Sequence, residues 1–72
     1  MPCVSPDGKP SESGVKMLGS VSAGKTSVED IAAASGMPLF RVRSGLRELA
    51  EAGYVAEQDG RYSLTDLGRA AL

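Results

Sequence analysis

The chain has 72 residues, which is the length of one small domain and too short for a large enzyme core. Acidic and basic residues nearly balance, at 9 and 8, so the net charge of −1 provides no whole-chain attraction for nucleic acid. One cysteine and no histidine exclude an internal disulfide and argue against a zinc site or a nucleophile–base pair. We therefore expect a protein that is not an enzyme and that uses no metal or cofactor.

Residues 1–10 carry three of the four prolines, which predicts a flexible tail ahead of a domain that spans residues 11–72. Cys3 lies in this tail, where it is either an ordinary exposed thiol or a redox or partner thiol. The sequence has no secretory signal and no apolar run of roughly 18 residues. We therefore expect a cytoplasmic protein without a membrane partner.

The first helix of the domain is predicted over about residues 11–22. Ser11 is a suitable N-cap residue, and Glu12 follows in the first turn, where a carboxylate is favourable. Apolar residues at helical spacing form one inner face. These residues are Val15, Leu18 and Val21, with Met17 beside them.

The second helix is predicted over about residues 28–35. Ser27 and Asp30 have the spacing of a capping box in which Asp replaces Glu, and Gly36 suits the C-terminal end. Only Met37 then separates this helix from the next apolar–polar pattern. The two helices are therefore expected to be joined by a tight turn.

The third predicted helix, residues 38–52, has an apolar side and a basic side. Val42, Leu46 and Leu49 recur at i, i+4 and i+7, the spacing of a buried helical face. Three arginines and no acidic residue occur from Gly36 to Arg47. A helix of this kind can bury one side and offer the other to the phosphate-lined groove of DNA.

A β-hairpin and a short last helix complete the pattern. Asp59-Gly60 stands between two strand-like runs and is a strong signal for a two-residue hairpin turn. The turn predicts the pairs Val55 with Leu64 and Glu57 with Tyr62. Thr65 is expected to cap the last helix, with Leu67 pointing inward. The predicted fold is mainly α with a small β-hairpin: a three-helix winged helix-turn-helix with a C-terminal helix.

This order of elements and three sequence segments resemble the winged helix-turn-helix domain of bacterial and archaeal transcription regulators of the MarR and ArsR type. The segments are SVEDIAAASGMP for helix and turn, FRVRSGLRELAEAGYV for the recognition helix, and DGRYSLTDLG for wing and exit. The resemblance covers residues 11–72 and implies sequence-specific binding of double-stranded DNA, with helix 38–52 in the major groove. It implies no sensor function, because the long dimer helices of MarR regulators and the metal thiols of ArsR sensors do not occur.

The expected DNA-binding residues lie mainly on the third helix, where four side chains are expected to reach bases and the others to reach phosphates. The base-reading side chains are Phe40, Arg43, Ser44 and Arg47, the phosphate contacts are Arg41, Lys25 and Arg61, and Leu39 completes the set. Because one recognition helix covers few base pairs, a homodimer is expected.

Two of these residues have alternative interpretations. Arg47 has Glu51 four residues later and can simply pair with it. Phe40 can pack on a thymine methyl, anchor a protein partner, or fold back onto the second helix. The alternative function is accordingly a winged-helix module for protein–protein interaction that does not bind DNA.

The segment Gly19–Thr26 also matches the complete Walker A pattern, GxxxxGKT. That pattern binds phosphates only where it follows a buried strand of a parallel sheet. Val15–Leu18 is a poor strand, and the chain is too short for such a domain. We interpret the match as coincidence and expect no nucleotide binding.

Overall fold

The computed structural model describes residues 4–72, so Cys3 and the prediction about its thiol lie outside the described residues. The elements follow the predicted order, and the fold is a winged helix-turn-helix, which confirms the predicted class. The elements are α1 (Glu12–Ser22), α2 (Val28–Ser35), α3 (Leu39–Glu51), β1 (Val55–Gln58), β2 (Arg61–Leu64) and α4 (Asp66–Ala70). The predicted helix ranges 11–22, 28–35 and 38–52 lie within one residue of these bounds.

Side-chain caps explain where three of the four helices begin, and the Thr65 hydroxyl accepts from the Gly68 N–H (3.1 Å) at the start of α4, as predicted. The Ser11 hydroxyl accepts a hydrogen bond from the Gly14 N–H (3.3 Å), and the Ser27 hydroxyl accepts one from the Asp30 N–H (3.2 Å). Both satisfy an N–H group that the first helical turn leaves without a backbone partner. α3 begins differently: Pro38, predicted as the first helical residue, is instead the N-cap residue and offers no capping side chain.

The core is formed where the three main helices meet. Val42, Leu46 and Leu49 are fully buried, as predicted, and pack with residues from α1, α2 and β1. The inner face predicted for α1 is wrong in one position, because Val15 is 39% exposed. The buried residues of α1 follow the i, i+3, i+4, i+7 pattern from Gly14, which leaves Val15 at the outer edge of the helix.

The hairpin has the predicted register. Val55 pairs with Leu64 and Glu57 with Tyr62. Asp59 and Gly60 both have positive φ, 54° and 79°, which is the backbone of a type I′ turn that matches the twist of the strands. The Tyr62 N–H also donates to the Thr26 carbonyl (2.9 Å), so the loop between α1 and α2 is attached to the free edge of β2.

α4 packs on the chain through a glycine. The predicted inward position of Leu67 is wrong, since this side chain is 51% exposed, while Gly68 beside it is buried. A Cβ atom on Gly68 would collide with the Tyr54 carbonyl oxygen and lie 3.2 Å from Leu64 Cδ2. The close approach is made by helix backbone, which leaves Leu67 at the rim of the contact.

The segment before α1 contacts the domain over its described part. Residues 4–10, which the sequence predicts as part of a flexible tail, form a turn in which Val4 and Pro10 make a β-bridge. The Tyr54 hydroxyl donates to the Gly8 carbonyl (2.6 Å), and Val4 packs against the core. Tyr54 therefore joins this turn to the domain.

The glycine contact leads to a paired prediction. Gly68→Ala should lower the free energy of unfolding by about 1–3 kcal/mol, because the added methyl group overpacks a backbone contact. Gly19→Ala is the control: it lies inside α1 with open space around its Cβ position, so it should raise stability by up to about 1 kcal/mol. Urea unfolding of both variants measures the difference, and equal midpoints would contradict the assigned role of Gly68.

Candidate nucleic-acid interface

The exposed ridge of α3 consists of residues one turn apart on the side opposite the buried seam. We call Phe40, Ser44, Arg47 and Glu51 the crest; all four are exposed, and Phe40 has 71% of its surface accessible. The interpretation in which Phe40 folds onto the second helix is therefore wrong. Leu39, at the first position of α3, is 39% exposed. The crest is apolar and basic towards the N-terminus and acidic at its C-terminal end.

The three arginines of α3 have no ion-pair partner in the described part of the chain. Arg43 and Arg47 are exposed, and Arg41 is half-buried on the flank of the helix. Within residues 4–72 the structure contains a single ion pair, between Arg69 and Asp66 of α4 (3.3 Å). Arg47 and Glu51 therefore do not form the pair that their spacing permits, and the α3 guanidinium groups are available to an external anion.

A cleft separates α3 from the hairpin. Arg43 and Arg47 line its helical side together with Ala50, at the i, i+4, i+7 spacing of one helical stripe. Glu57 and Tyr62 line the hairpin side. Neither residue belongs to the set of DNA-binding residues expected from the sequence, although their predicted pairing already places them on one face of the hairpin.

Glu57 has a defined role in this cleft. Its Oε2 atom accepts a hydrogen bond from the Gly60 N–H at 2.7 Å, which stabilises the hairpin turn. The same carboxylate adds one negative charge to a cleft that two arginines line. The positive potential of the cleft is therefore smaller than the arginines alone would produce.

Lys25 and Arg61 lie apart from the arginines of the cleft. Successive side chains of a strand point to opposite faces, so Arg61 points away from the face that carries Tyr62. Arg61 is exposed and lines a shallow surface with Thr26, and Lys25 is exposed beside Thr26 in the same loop. The structure thus places Arg61 on the face of the hairpin opposite Tyr62, and Lys25 in the loop beside the edge of β2, both apart from Arg43 and Arg47 in the cleft.

The Walker A match corresponds to the end of α1. Its first four residues, Gly19–Ser22, are helical. The N–H groups of Gly24 and Lys25 donate to the carbonyls of Val21 and Ser20, at 3.0 and 3.1 Å. These N–H groups are thus used in closing the helix, whose C-terminal end repels anions. From Gly19 to Lys25 the N–H groups therefore do not form the outward-facing set that a phosphate cradle needs.

Two structural features are absent from the described residues. Across residues 4–72 no helix combines the length and the apolar character needed to cross a membrane. Over the same range, His, Cys, Asp and Glu side chains form no group of three that could hold a metal ion.

Comparisons with known proteins bear on the fold. No protein-family model matches the chain, and no curated protein does. Among solved structures, the chain is similar to an O-methyltransferase (NcsB1) from neocarzinostatin biosynthesis, in complex with S-adenosyl-L-homocysteine, with a TM-score of 0.73 and 25% identity. The match covers 82% of this chain and 20% of that one, which has an N-terminal winged-helix domain. What the two proteins share is the winged-helix fold.

The geometry at the end of α1 predicts that Lys25 has no role in nucleotide binding. Lys25→Ala should leave the fold and the stability nearly unchanged, because the side chain is exposed. Mg-ATP should give no binding heat with the wild type in calorimetry. Tight Mg-ATP binding that Lys25→Ala abolishes would contradict this interpretation.

Proposed function

We propose that the domain binds double-stranded DNA as a small transcription regulator of the kind that the MarR and ArsR resemblance implies, with α3 in the major groove. The observation that carries this proposal is the set of unpaired arginines on the exposed side of α3. Arg43 and Arg47 are exposed without an ion-pair partner among the described residues, on the helix that follows the tight turn. Guanidinium groups in this setting can bind guanine edges or phosphates.

The distribution of charge along α3 selects the end that approaches DNA. From Leu39 to Arg47 the helix carries only positive charge, whereas Glu48 and Glu51 follow in its last turn. Phosphates repel these carboxylates, so the N-terminal half of α3 enters the groove and the C-terminal end stays outside. Helix-turn-helix proteins also contact bases mainly through the N-terminal residues of the recognition helix.

Six of the eight residues expected at the interface then divide among three roles. The crest residues Phe40, Ser44 and Arg47 face base edges. Arg41, on the flank of the first turn, faces the backbone that runs past the helix. Arg61, on the other face of the hairpin, and Lys25, in the loop at the edge of β2, reach phosphates farther along the duplex only if the hairpin lies against it. Arg43 lines the cleft between α3 and the hairpin, and Leu39 is half-exposed at the start of the helix.

A protein–protein interaction module is the second candidate function. Phe40 exposes a large apolar surface, Glu57 lies in the cleft, and the sequence pI of 5.2 is acidic. These features suit a protein partner better than a polyanion. The dependence of binding on salt concentration distinguishes the two functions. DNA binding weakens steeply as salt concentration rises, whereas a protein–protein contact anchored by Phe40 does not.

The domain also has a surface suited to a homodimer. Val15 of α1 and Leu67 of α4 are exposed and line a shallow apolar hollow with Ala70 and Ala71. No residue of α3 or of the hairpin strands lines this hollow, so a second copy bound there leaves the proposed DNA-binding face free. Two recognition helices would lengthen the contact with DNA beyond that of one.

Substitution of Arg47 and substitution of Arg41 in α3 should affect DNA binding in different ways. Arg47→Ala should cost about 1–3 kcal/mol with the preferred duplex and relax the preference at one position, because it removes a base contact. Arg41→Ala should weaken binding to all duplexes alike and reduce the salt slope by about one unit, because it removes a phosphate contact. Fluorescence anisotropy on selected and random duplexes over a salt series measures both effects.

Two controls accompany this experiment. Lys16→Ala removes the same charge from the exposed side of α1, where Lys16 lines a surface with none of the eight proposed interface residues, and should change neither affinity nor preference. Leu46→Ala should instead cost roughly 2–5 kcal/mol of folding free energy, since Leu46 is fully buried. If the wild type shows no salt-dependent binding to any duplex, the DNA proposal fails.

The homodimer proposal has its own test. Leu67→Gln should shift the protein towards monomer and weaken duplex binding, because it removes an apolar side chain from the hollow without adding a charge that could pair with Lys9 or repel DNA. It should leave the fold intact, since Leu67 is 51% exposed. Sedimentation equilibrium, with and without duplex, reports the mass. A wild type that stays monomeric at high concentration under both conditions would rule the dimer out.

A further inference from the structure

The first turn of α3 carries an apolar tip within basic surroundings. Phe40 is 71% exposed, and its neighbour Leu39 is 39% exposed. Arg41 follows directly, and Arg43 and Arg47 lie one and two turns further along. Single exposed apolar side chains are ordinary, but two adjacent ones beside unpaired arginines form a surface with a defined chemical complement.

The ligand that matches this surface is an apolar group with negative charges around it. In the major groove of DNA, base edges present hydrogen-bonding groups and one apolar group, the C5-methyl of thymine. Phosphates flank this methyl on both sides of the groove. A methylated pyrimidine therefore matches both the apolar tip and the arginines around it.

We propose that Phe40, supported by Leu39, recognises the C5-methyl group of a pyrimidine in the major groove. The inference rests on the proposed DNA binding and adds the base class that the first turn of α3 selects. Phe40 is then a specificity-determining residue, and Arg41 holds the helix against phosphates while the ring meets the methyl group. Thymine and 5-methylcytosine both present this group, and the experiment distinguishes them.

The alternative occupant of the same surface is an acidic protein segment with an apolar side chain. The arrangement of α3 favours DNA, because both flanks of Phe40 are basic and the acidic residues begin only at Glu48. DNA likewise has a continuous negative charge on both sides of the groove. A protein partner becomes one of the outcomes of the test.

The experiment begins with selection of preferred duplexes from short random sequences. Each thymine of the selected duplex is then replaced by deoxyuridine, which lacks only the C5-methyl group, and each cytosine by 5-methylcytosine. Affinities are measured by fluorescence anisotropy for the wild type, Phe40→Ala and Phe40→Leu. Phe40→Leu keeps an apolar side chain and serves as the matched control, and circular dichroism checks that the variants fold.

We expect one thymine whose replacement by deoxyuridine weakens wild-type binding about fourfold, the effect of roughly 0.8 kcal/mol for one buried methyl-sized group. Phe40→Ala should bind the thymine and deoxyuridine duplexes equally well, whereas Phe40→Leu should keep part of the difference. If Phe40 instead recognises 5-methylcytosine, replacing one cytosine by 5-methylcytosine increases the affinity for the duplex, and this increase depends on Phe40 in the same way.

The possible results distinguish a failure of the proposed methyl contact from a failure of the proposed DNA binding. Salt-dependent binding in which no thymine-to-deoxyuridine or cytosine-to-methylcytosine exchange changes affinity would overturn the methyl contact and leave DNA binding intact. A loss of affinity in Phe40→Ala that is equal for methylated and unmethylated duplexes would also overturn it. An absence of salt-dependent binding to any duplex would overturn both, and would direct attention to a protein partner for Phe40.

Discussion

The buried seam of α3 is the constraint on which the remainder of the domain depends. Val42, Leu46 and Leu49 are fully buried where the three main helices meet, so the rotation of α3 about its own axis is fixed. Once that side is buried, Phe40, Ser44 and Arg47 must lie outward, because they occupy the opposite side of the same helix. The short turn after α2 and the hairpin after α3 then set where this exposed side lies relative to the rest of the chain.

Charge in this protein has to be considered locally. The whole chain has a net charge of −1, yet the first nine residues of α3 carry three arginines and no carboxylate. Attraction between exposed charges fades over about 10 Å at moderate salt, so a ligand at the first turn of α3 interacts with those arginines far more than with distant acidic residues. The Glu57 carboxylate is different, because it lies within the cleft and reduces its potential.

The similarity to part of an O-methyltransferase agrees with the winged-helix fold of this chain. The function has to be inferred from the side chains of the candidate site. A winged helix can form one part of an enzyme chain, as the fifth of that methyltransferase matched here illustrates. The same architecture can support different functions, since these depend on the side chains placed on its surface. The arginines and the apolar tip of α3 together support the proposed DNA binding, whereas the exposure of Phe40 and the acidic pI support the alternative of a protein partner.

The sequence by itself determined the elements, their order, the caps at Ser11 and Ser27 and the hairpin register, because these depend on residues close together in the chain. It also identified the buried seam of α3 from its spacing. Only the tertiary structure decided the outward position of Val15 and Leu67, the contact of Gly68 with the Tyr54 backbone, and the placement of Glu57 opposite the arginines. Those features depend on how separate elements approach one another, and side-chain spacing within a single element does not contain that information.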